Sequence, residues 1–86
     1  MIKLDEIKAW GTEPGSDKLL KLDEISILAS AAMIRTLGVF LINAAYEMET
    51  NDVEHVHLQD FSSNFSYDHH VDIVLTDKFK VNSDPI

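Results

Sequence analysis

Apolar residues recur two apart near both ends of the chain and three or four apart in its middle, predicting strands around one helix. Residues 2–9 alternate in part, with Ile2 and Leu4 in phase and Ile7 and Ala9 out of phase. That break predicts a strand with a bulge near Asp5 and Glu6. Residues 11–18 hold the Gly, Pro and Ser positions of a loop. A second strand follows over 21–29, with Ile25, Ile27 and Ala29 on one face and Glu24, Ser26 and Leu28 on the other.

The helix prediction is the strongest. Ser30 is an N-cap for residues 31–49, where Met33, Ile34, Leu37, Phe40, Leu41, Ala44, Ala45 and Met48 form a wide apolar face. Thr36, Asn43, Glu47 and Thr50 lie opposite. Gly38 weakens the helix by about 1 kcal/mol relative to alanine, which predicts a close helix–sheet approach there. Glu47 and Glu49 stand at the negative end of the helix dipole, where acids are unfavourable. Asn51 suits a left-handed cap.

Beyond the helix, residues 55–61 alternate cleanly. Val56 and Leu58 point one way; His55, His57, Gln59 and Phe61 point the other. After a polar connection over 62–70, a last strand at 71–76 is expected to bury Val71, Ile73 and Leu75. The tail 78–86 is expected to fray. The fold class predicted is α+β: one amphipathic helix packed on a four-stranded, mainly antiparallel sheet, in the order β-β-α-β-β. Residues 1–86 are read as a single domain. The far face of that sheet would present His55, His57, Gln59, Phe61, Asp72 and Val74, a mixed polar and aromatic surface suited to recognition.

Composition adds exclusions. Eighty-six residues with no cysteine leave no disulfide scaffold, thiolate metal site or cysteine nucleophile. Three glycines form none of the phosphate-cradling fingerprints. No apolar run follows the first residues as in a signal peptide, and 37–46, the longest mostly apolar stretch, is too short to span a bilayer. A cytoplasmic location is expected.

Seven Lys and Arg against fifteen Asp and Glu give a net charge of −8, which argues against nucleic acid and membrane partners. The imbalance is local. From Thr36 through Asp77 there is no Lys or Arg, and Glu47, Glu49, Asp52, Glu54, Asp60, Asp68, Asp72 and Asp77 all fall there. The rest of the chain holds seven acids and seven bases. All four histidines lie in the base-free stretch as well.

Those histidines define the metal question. His55 and His57, two apart on one strand face, could ligate jointly, with His69 and His70 nearby in sequence. No spaced motif supports a metal, and none is expected, nor any other cofactor. No nucleophile elbow surrounds a serine, and the paired acids Asp5–Glu6 and Asp23–Glu24 point apart on strands. The reading is a protein that is not an enzyme. A second helix stripe of Arg35, Val39, Ile42 and Tyr46 either widens the core face or offers a homodimer contact.

The run Ile25-Ser26-Ile27-Leu28-Ala29-Ser30, a helix ending Ala44-Ala45-Tyr46-Glu47-Met48-Glu49, then Glu54-His55-Val56-His57-Leu58-Gln59-Asp60-Phe61 and Val71-Asp72-Ile73-Val74-Leu75 form a recognisable series. Over residues 20–77 the chain resembles the immunity protein 32 family of bacterial polymorphic toxin systems, with His55, His57, Leu58 and Asp60 as the matching motif positions. The resemblance implies a small α+β domain that binds and neutralises a cognate protein toxin without catalysis. Many such toxins are nucleases with basic clefts, which an acidic surface would fit. The candidate contacts are then Glu47, Glu49, Asp52, Glu54, His55, His57, Gln59, Asp60, Phe61, Tyr67 and Asp72. The alternatives are a regulatory or structural interaction module and a histidine-based metal-binding domain.

Overall fold

The computed structural model describes residues 1–81. The chain divides into two units, one built on Met1–Leu28 and the other beginning at Ala29.

In the first unit, the predicted strand over 2–9 is instead a 3-10 turn at Leu4–Glu6, closed by the Glu6 and Ile7 amides on the Lys3 and Leu4 carbonyls. The chain thus turns at Asp5–Glu6, where a bulge was expected. Strand β1 (Trp10–Gly11) pairs antiparallel with β2 (Leu20–Lys21), joining Trp10 to Lys21 and Gly11 to Leu20. The loop between them is as expected, and Gly15, at φ 77°, takes a backbone conformation that favours glycine. The second predicted strand ends early. Beyond Lys21 no ladder forms, and Ile25, Ile27 and Leu28 are exposed.

The second unit is organised by α1 (Ala31–Thr50). Ser30 caps it as expected: its hydroxyl accepts from the Met33 amide at 3.1 Å. The helix packs on a hairpin of β3 (His55–His57) and β4 (Val74–Thr76), paired His55 to Thr76, Val56 to Leu75 and His57 to Val74. One backbone bond extends the hairpin at each end, from Leu58 to the Ile73 carbonyl and from Asp77 to that of Glu54. Phe40, Ala44 and Val56 are the buried core, with Leu37, Met48, Val53, Leu58, Ile73 and Leu75 packed around them. Phe40, Ala44 and Met48 recur at four-residue spacing and Leu37 precedes Phe40 by three, so one helical stripe meets the hairpin. A lone two-stranded hairpin is marginal in water, and this stripe is what stabilises it.

The fold is therefore α+β, but with two separate two-stranded sheets rather than one of four strands. Further corrections are local. The strand expected over 55–61 stops at His57, and Leu58–Phe61 forms a 3-10 turn. Val71, expected in the core, precedes β4 and is exposed. Nothing lies within 4 Å of where a Gly38 Cβ would stand, so no close sheet approach occurs there. Asn51 has φ −110°; the left-handed residue is Asp52, at φ 56°. Part of the tail is ordered, because Lys78–Lys80 forms a 3-10 turn capped by Asp77. The rest of the predicted tail, 82–86, lies outside the described residues.

Candidate partner-binding site

The hairpin positions the histidines. On the face of β3 opposite Val56, His55 Nδ1 lies 2.9 Å from the Thr76 hydroxyl of the facing strand, and its Nε2 lies 3.2 Å from the Glu54 carboxylate. His57 Nδ1 lies 3.0 Å from Asp72 Oδ2. The other Asp72 oxygen accepts from the Gln59 amide at 2.9 Å. One carboxylate therefore fixes a ring on β3 and starts the 3-10 turn that follows it. Asp72 is only 12% exposed at its side chain, with both oxygens engaged inside the unit.

The long connection before β4 is tied by its own side chains. The Ser66 amide donates to His70 Nδ1 at 3.0 Å, and the Ser66 carbonyl accepts from the His69 and His70 amides. Phe65 meets Tyr67 edge-on at 4.8 Å between ring centroids, leaving Tyr67 exposed. Phe61 is also largely exposed but rests an edge on Phe40 at 5.5 Å, which links it to the core. Among the described residues, no three His, Asp or Glu groups converge to hold a metal ion.

At the C-terminal end of α1 the acids meet a cation that sequence reasoning did not single out. The Lys80 ammonium donates to the Met48 and Val53 carbonyls and lies 3.4 Å from Asp52 and 3.2 Å from Asp77. The carboxyl of Asp77 is held below its ordinary value of 3.8, first by the Phe79 amide and then by hydrogen bonding and attraction to Lys80, outweighing desolvation. Glu47 accepts from the Asn51 side-chain amide at 2.6 Å. The sequence signal for this arrangement was that Lys78 and Lys80 are the first bases after the base-free stretch.

Apart from Glu47, held by Asn51, and Asp77, beside Lys80, the acids of the base-free stretch fall into two groups. Asp52, Glu54 and Asp72 each lie beside a lysine or histidine of their own unit. Glu49, Asp60 and Asp68 are exposed, with no cationic partner among the described residues. Gln59 is half-buried, its amide taken by Asp72.

A helix stripe packed on a short hairpin, with polar and acidic groups on the outer side, defines a small α+β domain with a candidate binding surface. The model of the family described as Immunity protein 32 matches residues 24–84, spanning the helix and hairpin, and the chain belongs to that family. Neither the curated proteins nor the solved structures give a match. No helix among the described residues is long and apolar enough to cross a membrane.

Proposed function

We propose that this protein is the non-enzymatic inhibitor of a cognate bacterial toxin domain, acting in the cytoplasm of the producing cell. It binds the toxin through the acidic and aromatic surface carried by the second half of the chain. Family membership supports the class of function. The observation that carries the mechanism is the stretch from Thr36 to Asp77, which has eight acids and no Lys or Arg. Within it Glu49, Asp60 and Asp68 are exposed, and Phe61 and Tyr67 offer aromatic contacts beside them in sequence. Aromatic anchors supply binding energy, while unneutralised acids steer a basic partner. A toxin with a basic cleft, such as a nuclease, fits this surface: the acids would take the place of substrate phosphates.

The test begins with the toxin gene expected beside this one. Co-expression should relieve toxicity, and the purified pair should associate. Replacing Asp60 and Asp68 together by lysine should slow association about tenfold or more at low salt while leaving the fold intact. Neutralisation with association rates unmoved by that double change and by salt would reject the acidic mechanism. Failure of any adjacent gene product to bind would favour a general interaction module instead.

A further inference from the structure

The helix α1 has a second apolar face. Val39 is 55% exposed, Ile42 70% and Tyr46 61%, with Ile34 at 46% and Leu41 at 45% on the adjoining side. At 3.6 residues per turn Val39, Ile42 and Tyr46 lie opposite the stripe of Leu37, Phe40, Ala44 and Met48 that meets the hairpin, while Ile34 and Leu41 border that stripe. Between the two groups run Ala31, Gly38 and Ala45, seven apart, and Arg35, Ile42 and Glu49 form the neighbouring row. A face this apolar is not left to solvent at no cost.

The arrangement is self-complementary about Ile42. Arg35 and Glu49 are each seven residues from it, Gly38 and Tyr46 each four, and Val39 and Ala45 each three. A second copy laid antiparallel, with its two-fold axis at Ile42, sets opposite charge against opposite charge and small residue against large. Gly38 then offers a gap to the partner's Tyr46, and that gap is open, since nothing stands within 4 Å of a Cβ built there. Arg35 and Glu49 are both exposed, with no ion pair to another side chain among the described residues.

The helix dipole points the same way. No acid lies in the first turn of α1, where a helix prefers one, whereas its C-terminal end is already answered by Lys80. Antiparallel pairing places the acidic end of each helix beside the N-terminal end of the other. We infer that α1 forms an antiparallel, two-fold homodimer through this face, with Gly38 as the point of closest approach. The exposed parts of Val39, Ile42 and Tyr46, which face the partner, amount to roughly 350 Å² per copy, so pairing would bury about 700 Å², the size of a weak contact. The dimer expected is weak and reversible.

Sedimentation equilibrium of the full chain from the micromolar to the millimolar range should show a monomer–dimer equilibrium. Gly38→Leu should abolish it while circular dichroism shows the helix retained. Arg35→Glu alone should weaken association about tenfold, since two ion pairs per dimer become repulsions, and Arg35→Glu with Glu49→Arg should restore it. As the chain has no cysteine, Ile42→Cys offers an independent readout. It should form an intermolecular disulfide under mild oxidation, while Thr36→Cys should not. A monomer at every concentration, whether the face is covered by other residues of the chain or only by the toxin, would overturn the inference. So would a dimer indifferent to Gly38→Leu, or a charge swap that restores nothing.

Discussion

At the C-terminal end of α1 the charge that answers the helix dipole comes from 32 residues further along, where Lys80 returns to donate to the Met48 carbonyl. It also reaches the Val53 carbonyl and two carboxylates, so a single ammonium joins the helix end, the approach to β3 and the turn after β4. Lys80→Met keeps most of the side-chain volume and removes these bonds; it should lower stability by about 1–2 kcal/mol in urea denaturation. The acid response belongs to Asp77, whose carboxyl is held below 3.8 by the Phe79 amide first and Lys80 second. Its contribution is complete above the unfolded value and is lost as pH falls through the lower folded one. Asp77→Asn should therefore differ most from the parent at neutral pH and converge with it in strong acid. A stability difference independent of pH would contradict that assignment. Asp72 offers a contrasting case, because its two oxygens hold the His57 ring and the Gln59 amide. Asp72→Ala should cost about 1–3 kcal/mol by leaving the Gln59 amide unsatisfied, with toxin binding reduced only as far as the turn after β3 loosens.

Among the elements, α1 was the most legible because it is specified twice, by its cap and by a long apolar period. Ser30→Ala should remove the bond to the Met33 amide and cost about 1 kcal/mol. Phe40 lies on the buried stripe between helix and hairpin, and Phe40→Ala should cost about 3–5 kcal/mol, enough to unfold much of a domain this small. An unchanged urea midpoint in either variant would contradict the assigned role. The strands were less legible for a physical reason. Alternation over 55–61 is real, but a strand also needs a partner, and β4 supplies one only opposite His55–His57. Past that point Asp72 takes the Gln59 amide, and the backbone turns. The same holds for 21–29, where Ile25 and Ile27 alternate without a ladder. Gly38 was misread because propensity shows that a small residue is present, not which neighbour it makes room for. As for the candidate site, the acidic stretch and the histidine strand were visible in sequence. Lys80 was not, since its role depends on a contact made only when the tail folds back to the helix end.

For the whole molecule the governing quantity is the charge of −8, and it makes two demands of opposite sign on the same variable. In the free protein the uncompensated acids repel one another, and folding holds them closer than the unfolded chain does. Salt shortens the reach of that repulsion, with a Debye length of about 10 Å at 0.1 M falling to about 3 Å at 1 M. Sodium chloride should therefore raise the thermal midpoint of the isolated protein over that range. The Lys80 ammonium is mostly sheltered and its hydrogen bonds to the Met48 and Val53 carbonyls should survive, whereas its 3.4 Å contact with the exposed Asp52 carboxylate should weaken. Toxin binding by the acidic surface should move the other way, with the association rate falling steeply over the same salt range. Measured side by side, the two curves separate electrostatic steering from mere stabilisation of the binding partner. If salt changed affinity only by making the protein more stable, stability and affinity would rise together. Opposite slopes would instead mean that the acids that burden the folded monomer are those that attract its partner. A salt-insensitive thermal midpoint would mean that the acids are too dispersed over the surface to act as a block.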